Sequence, residues 1–143
     1  MGARVRRKYL LDTNQLTHAA ANRGSPVVKR IRQVSSAGDA VGVCVPVLCE
    51  AHAGFAGLSE AKREHYLEEL RHLMRLLRLW PLDSDAAVEY GRIYQSCRQV
   101  GRVLSPVDMM LAALAREERL ILVTADRDFD ALPDLRIEDW TLE

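Results

Sequence analysis

The stretch LSPVDMMLAALAREERLILVTADRDF, Leu104 to Phe129, holds a helix start, an amphipathic helix, a short apolar strand and acids beyond the strand's end. Ser105 can cap the free N–H groups of a helix, and Pro106 pre-sets its first helical φ. Asp108 follows the serine by three residues, and Met110, Leu111, Leu114 and Ala115 recur at helical spacing. Arg116-Glu117-Glu118-Arg119 ends the helix in a polar turn. Leu120 to Val123 is short, apolar and β-leaning, the pattern of a strand buried on both faces. Thr124, Asp126 and Asp128 come where that strand must give out. In open α/β sheets the crevice beyond the strand ends is where ligands bind, so these oxygen-bearing side chains stand at a candidate site.

Working outward, Arg7 to Leu11 reads as a strand that ends at Asp12, with Thr13-Asn14 capping a helix over Gln15 to Ala21. Asp12 is then either a functional carboxylate at the sheet's C-terminal edge or a helix N-cap. Asn14 has the same two readings, a hydrogen-bonder near the site or a cap. Ser25-Pro26 restarts a helix through Val34, with Val27, Val28, Ile31 and Val34 on its buried face. A second buried strand follows over Val41 to Val45, and Pro46 opens a helix to about Phe55. That helix is apolar or small nearly all round apart from Glu50 and His52, which predicts a buried helix carrying a buried carboxylate. No Lys or Arg lies one turn from Glu50. A buried acid must be paired or bound to a cation; a distant arginine is one solution, and a bound cation is the reading favoured here.

Ser59 caps a long helix from Glu60 to about Leu77, with Tyr66, Leu70, Leu73 and Leu77 as its apolar stripe. Arg63, Arg71, Arg75 and Arg78 fall mainly off that stripe and read as a solvated face of Glu–Arg pairs, RNA contact being the alternative. Leu79 to Leu82 is a short strand or edge segment before Asp83. Ser84 to Val100 is a helix with Ala87, Val88, Ile93, Tyr94 and Cys97 as apolar positions. After Asp128, Phe129 and Leu132 pack a short helix or turn, and Leu135 to Ile137 is a last strand. Strands alternate with helices, with no repeat and no linker. The expected fold is α/β, a three-layer α/β/α sandwich around a mostly parallel sheet, in one domain spanning residues 1–143.

Bulk composition narrows the class. Lys+Arg and Asp+Glu are 20 each, so no global basic field advertises nucleic acid, although a local basic rim can surround an acidic centre. Cys44, Cys49 and Cys97 show no CxxC pair and no zinc-type spacing; they read as buried, reduced thiols of a cytoplasmic protein. The basic start, Arg4 to Lys8, is followed by only Tyr9-Leu10-Leu11 before Asp12, too little for a secretory signal. No apolar stretch approaches membrane-spanning length.

Four acids now occupy comparable places: Asp12 and Asp126 just past strands, Glu50 and Asp108 near the starts of helices. In such a fold they can converge at one sheet edge. Clustered carboxylates raise one another's pKa unless a cation sits among them. Hard oxygen donors without cysteine or paired histidine select Mg²⁺ or Mn²⁺ over zinc. An ion so held suits phosphoryl transfer, since it activates water and neutralises phosphate. Each acid also has a structural excuse: Ser105-x-x-Asp108 is a capping-box-like pattern.

The chain resembles the PIN-domain ribonucleases, specifically the VapC toxins of bacterial toxin–antitoxin pairs. The resemblance rests on Leu10-Leu11-Asp12-Thr13-Asn14, on Val45 to Gly54 around Glu50, and on Ser105-Pro106-Val107-Asp108 with Leu111-Ala112-Ala113. It continues through Val123-Thr124-Ala125-Asp126-Arg127-Asp128-Phe129 and the tail Leu132 to Trp140, in order and over nearly the whole chain. It implies a Mg²⁺- or Mn²⁺-dependent endoribonuclease acting on RNA, homodimeric and neutralised by a small cognate antitoxin. By motif position it gives Asp12, Glu50, Asp108 and Asp126 the acidic roles, with Asp12 and Asp108 as the foremost metal ligands. Thr124 and Asn14 support them, and Asp128 is a fifth acid that competes with Asp126 for the last place; Asp126 is the choice here.

Rival enzymes lack their residues. A phosphorelay receiver needs a late lysine, and the last one here is Lys62. A phosphatase with an Asp-x-Asp nucleophile needs a second acid where Asn14 stands. No glycine-rich nucleotide loop is present. The remaining alternative is a PIN-like scaffold that binds RNA or a protein without cutting.

Overall fold

The structure, a computed structural model, describes residues 6–102 and 104–142; Arg4 and Val5 of the basic start lie outside them. Among the described residues the chain forms five strands, six α-helices and one 3-10 turn. In order these are β1 (Lys8–Leu11), α1 (Thr13–Ala21), α2 (Pro26–Ser36), β2 (Ala40–Val43), α3 (Val45–Ala56) and α4 (Glu60–Met74). There follow β3 (Arg78–Leu79), α5 (Ser84–Gln99), α6 (Pro106–Glu118), β4 (Ile121–Val123), the 3-10 turn Arg127–Ala131 and β5 (Ile137–Glu138).

All four strand pairings are parallel, in the order β3-β2-β1-β4-β5. The chain walks outward from β1 to β3, then crosses back to lay β4 on the other side of β1. Right-handed crossovers put α1 to α4 on one face and α5 with α6 on the other. The packing agrees: α1 lies against α2, α3 and α4, and α5 against α6. The strand order reverses between β1 and β4, in register Tyr9 to Ile121 and Leu11 to Val123. The crevice at the sheet's C-terminal edge therefore opens beyond Leu11 and Val123. Both central strands are apolar because both their faces are covered: Tyr9, Leu10, Leu11, Ile121, Leu122 and Val123 are all buried.

Caps fall where the sequence put them. Ser25 accepts from the Val28 amide and Ser105 from the Asp108 amide, ahead of Pro26 and Pro106. Several expectations need correction. The helix after Asp12 starts at Thr13, because Asp12 itself is the cap and accepts from the Gln15 amide. The third strand is Arg78–Leu79 and not Leu79 to Leu82; Trp80 leaves it, although its amide still donates to Val43. The last strand lies at Ile137–Glu138 and not at Leu135 to Ile137. On α5, Ala87, Val88 and Tyr94 face solvent, and Ala86, Ile93 and Cys97 are buried. Cys49 is exposed, unlike Cys44 and Cys97.

The largest correction concerns α3. Only Val47, Ala51 and Phe55, spaced four apart, are buried, and Glu50 is exposed. Small residues cover the outward face, so composition imitates a core helix without making one.

Gly42 explains how β2 meets its neighbours. A Cβ there would come within 2.5 Å of both the Arg78 carbonyl oxygen and Trp80 Nε1. The Trp80 indole crosses that gap and donates to the Tyr9 carbonyl at 2.8 Å. Gly42→Ala should therefore cost about 1–3 kcal/mol through overpacking, read as a lower urea midpoint with an unchanged m-value.

Candidate active site

Beyond the C-terminal ends of β1 and β4 lies a cleft of about 310 Å³ lined by Asp12, Thr13, Asn14, Glu50, Ser105, Asp108 and Asp126. All four acids singled out from the sequence line it, together with Asn14. Thr124 does not. It is buried behind the cleft, where its hydroxyl donates to Asp12 Oδ2 at 2.5 Å and accepts from the Asp126 amide at 3.0 Å. Asp128 is exposed on the following turn, and its amide donates to Asp126 Oδ1 at 2.8 Å. Of the two acids after β4, Asp126 faces the cleft.

Asp12 plays both roles that its sequence position allowed. Oδ1 caps α1 through the Gln15 amide at 2.8 Å, Oδ2 takes the Thr124 hydroxyl, and its own amide donates to Val123 across the sheet. Asp108 sits in the first turn of α6, half-buried and opposite Asp12 and Asp126. Glu50 comes from α3 and accepts from Thr13 Oγ1 at 2.5 Å. Thr13 was legible in the sequence only as a cap, because its partner lies 37 residues away. Gln15 and Asp139 were missed altogether. Gln15 is buried one turn into α1; its Nε2 donates to Asp139 Oδ1 at 2.9 Å and its Oε1 accepts from the Trp140 amide at 3.3 Å. The amide thereby ties the chain after β5 to the helix that presents Asp12. A polar residue among buried positions on α1 was the only available signal.

The electrostatics are those of a one-signed site. Burial pushes the Asp12 carboxyl above its ordinary pKa, against the Thr124 and Gln15 hydrogen bonds, with Asp126 and Asp139 adding repulsion. Burial also raises Asp108, again with repulsion from Asp126, Asp12 and Glu50. Among the described residues, no Lys, Arg or His forms an ion pair with any of the four acids. Among the described residues no three His, Cys, Asp or Glu side chains stand close enough together to ligate one ion as they lie. Carboxylates of this kind suit Mg²⁺, which keeps several waters and takes one or two carboxylates directly. The donor set, four carboxylates with a threonine and an asparagine at the rim, is oxygen only.

The chain belongs to the PIN domain family, which it matches over residues 9–135. It is similar to the tRNA(fMet)-specific endonuclease VapC of Salmonella typhimurium, 25% identical over 134 residues covering 93% of this chain and 98% of that protein. Ribonuclease VapC2 of Haemophilus influenzae is 26% identical over 134 residues, with the same 93% and 98% coverage. Among solved structures, DNA-bound VapBC from Salmonella typhimurium superposes with a TM-score of 0.81 at 27% identity, covering 94% of this chain and 98% of that one. VapBC2 of Rickettsia felis, bound to a promoter DNA fragment, gives 0.83 at 21% identity over 93% and 98%.

Two outcomes follow. Thr124→Val keeps the shape but strands the Asp126 amide and removes a donor from Asp12, costing about 1–3 kcal/mol; Thr124→Ser should recover most of that loss in chemical denaturation. Second, the folded chain holds protons on Asp12 and Asp108 more tightly than the unfolded chain does. Their contribution to stability is therefore full below the ordinary carboxylate pKa and is lost as pH rises through the elevated values. In EDTA, Asp108→Asn should melt a few degrees above wild type near pH 7.5, and the gap should close as pH falls toward about 4. A gap that widens on acidification would refute the raised pKa of Asp108, which burial causes first and the neighbouring acids second.

Proposed function

We propose that this chain is a metal-dependent endoribonuclease that hydrolyses RNA phosphodiester bonds, the toxin of a toxin–antitoxin pair acting in the cytoplasm as a single PIN domain. The carrying observation is the cleft at the sheet's switch point, in which Asp12, Asp108, Glu50 and Asp126 face one another without a cationic partner. The full-length likeness to ribonucleases named VapC supports the substrate class. The likeness to toxin–antitoxin complexes supports a small protein antitoxin as partner, with a homodimer as the expected assembly. Among the described residues no helix is long and apolar enough to cross a membrane.

Asp12 and Asp108 are the foremost donors to a Mg²⁺ or Mn²⁺ ion, with Glu50 and Asp126 completing the set. When bound, the ion offsets the carboxylate repulsion, lowers the pKa of a water and neutralises the scissile phosphate. The protein's share is orientation. Thr124 and the Gln15 amide hold both oxygens of Asp12 while sparing lone pairs toward the cleft, and Thr13 steadies Glu50. The N-termini of α1 and α6 both open at this edge, and their positive ends favour a phosphate arriving there. Asn14, exposed at the rim, offers an amide to the RNA backbone. The cleft is open, as cutting inside a polymer requires.

The test is cleavage of folded RNA with Mn²⁺ or with EDTA, by wild type and Asp108→Asn. Wild type should cut only with metal. The substitution should reduce the rate by more than about a hundredfold, the scale on which one lost electrostatic group acts in a site. Binding without cutting under all metal conditions would transfer the chain to the scaffold reading.

A further inference from the structure

At the other end of the sheet a second cleft, of about 410 Å³, opens where β1 and β4 begin, beside the C-terminus of α6. Its rim carries Arg6, Arg7, Lys8, Arg116, Arg119 and Arg136, against one carboxylate, Asp134. That carboxylate is already engaged by Arg116, which reaches both its oxygens at 2.8 and 2.6 Å. Among the described residues the guanidinium groups of Arg6, Arg7, Arg119 and Arg136 form no ion pair with an acid, although the Arg7 amide donates to the buried Asp39 carboxylate at 3.0 Å. In a chain of zero formal net charge the rim of this cleft is predominantly cationic, as the lining of the other cleft is acidic.

Helix electrostatics account for part of it, since cations near the last turn of α6 favour its dipole. They do not account for Arg6, Arg7, Lys8 and Arg136, which lie at the N-terminal ends of strands. Arg119 adds a second observation. It caps α6 at φ 55°, the left-handed region in which glycine or asparagine sits at least cost. The backbone bears that strain with a guanidinium held at the cleft's rim. The C-terminal half of α4 differs: Arg71 pairs with Glu68, His72 also reaches Glu68, and Glu69 is taken by Arg23 from outside the helix.

We propose that this basic cleft grips the phosphodiester backbone of a nucleic acid at a second point, distant from the acidic cleft. Guanidinium forks match phosphate oxygens and remain charged at every relevant pH. Arg7 and Asp12 flank β1, so the two clefts stand roughly 17 Å apart at an extended rise of about 3.3 Å per residue. A short oligonucleotide at the acids does not reach the cations, whereas a folded RNA spans both. Resting on the nuclease reading, the cleft makes long or folded RNA the preferred substrate; as a binding site it does not depend on cutting.

The experiment uses the full chain in EDTA, with anisotropy of a labelled RNA hairpin and of a duplex DNA of equal length across a salt series. Arg119→Glu combined with Arg136→Glu should weaken hairpin binding tenfold or more and reduce the slope of log K against log salt by roughly one to two. Arg71→Glu with Arg75→Glu on α4, an equal change in net charge, should do much less. With Mn²⁺ added, the cleft variant should raise KM for the hairpin and leave hydrolysis of a tetranucleotide unchanged. An equal loss in both double variants, or no loss in the cleft variant at an unchanged melting temperature, overturns the proposal. Loss confined to the DNA arm overturns its link to RNA substrate while retaining the phosphate chemistry. Hairpin binding lost in the cleft variant, with no cleavage by wild type, sinks the nuclease reading and leaves the cleft standing.

Discussion

Parallel pairing of β1 with β4 is the constraint on which the site hangs, because these two strands meet where the sheet's winding reverses. The chain leaves β1 into α1 and leaves β4 through the 3-10 turn Arg127–Ala131, so the two strand ends part and a crevice opens between them. The Asp12 amide donates to Val123 at 3.0 Å, carrying the pairing one residue past the strand. One hydroxyl, that of Thr124, then couples the two chain ends by donating to Asp12 and accepting from Asp126. Slipping β4 by one residue would turn Thr124 away and bury Ala125 in its place. Apolar packing on both faces of the strands guards that register, so the hydrophobic core holds the polar site in place.

The arrangement is held against its own electrostatics. Two half-buried or buried carboxyls with raised pKa values, facing two further acids, are a standing cost to the metal-free fold. The cost is met locally at two helix N-termini. Asp12 and Asp108 each occupy the start of a helix, where the positive end of the dipole and the free N–H groups favour negative charge. At Asp12 the two explanations offered by the sequence, cap and site acid, are therefore compatible in one side chain. Asp12 is tolerated in a repulsive cluster because it also caps α1, whereas Asp108, in a helix capped by Ser105, gains from the positive end of α6 alone.

How much of this was legible depended on how local the cause was. Ser105-Pro106 and Ser25-Pro26 announced helices correctly because capping is settled within four residues. Asp12, Asp108 and Asp126 were legible because each acid sits at the boundary of an element, and boundaries are what local patterns mark. Glu50 was chosen for a reason the structure overturns: α3 buries only one stripe, and Glu50 is exposed. It reaches the cleft because α3 begins at the same sheet edge, one crossover away from β1. Val88 and Tyr94 likewise misled, since an apolar residue on a helix does not say which side the sheet is on. Gln15–Asp139 and Thr13–Glu50 span 124 and 37 residues, and no local pattern encodes such pairs.

The same distinction separates the two ends of the sheet. The acids are spread over the chain from Asp12 to Asp126, yet strand-end geometry gathers them in one cleft. The cations of the opposite cleft come from Arg6 to Lys8, Arg116 to Arg119 and Arg136, and parallel pairing gathers these as surely at the strands' starts. A parallel sheet sorts residues by whether they precede or follow a strand: Arg6, Arg7 and Arg119 precede the central strands and line one cleft, and Asp12 and Asp126 follow them and line the other. An overall charge of zero conceals that order because the two groups cancel. A polyanion approaching such a molecule meets attraction at the cationic cleft and repulsion at the acidic one. The proposed second nucleic-acid contact accordingly puts binding and cutting at opposite ends of β1, so that each can be removed by substitution without the other.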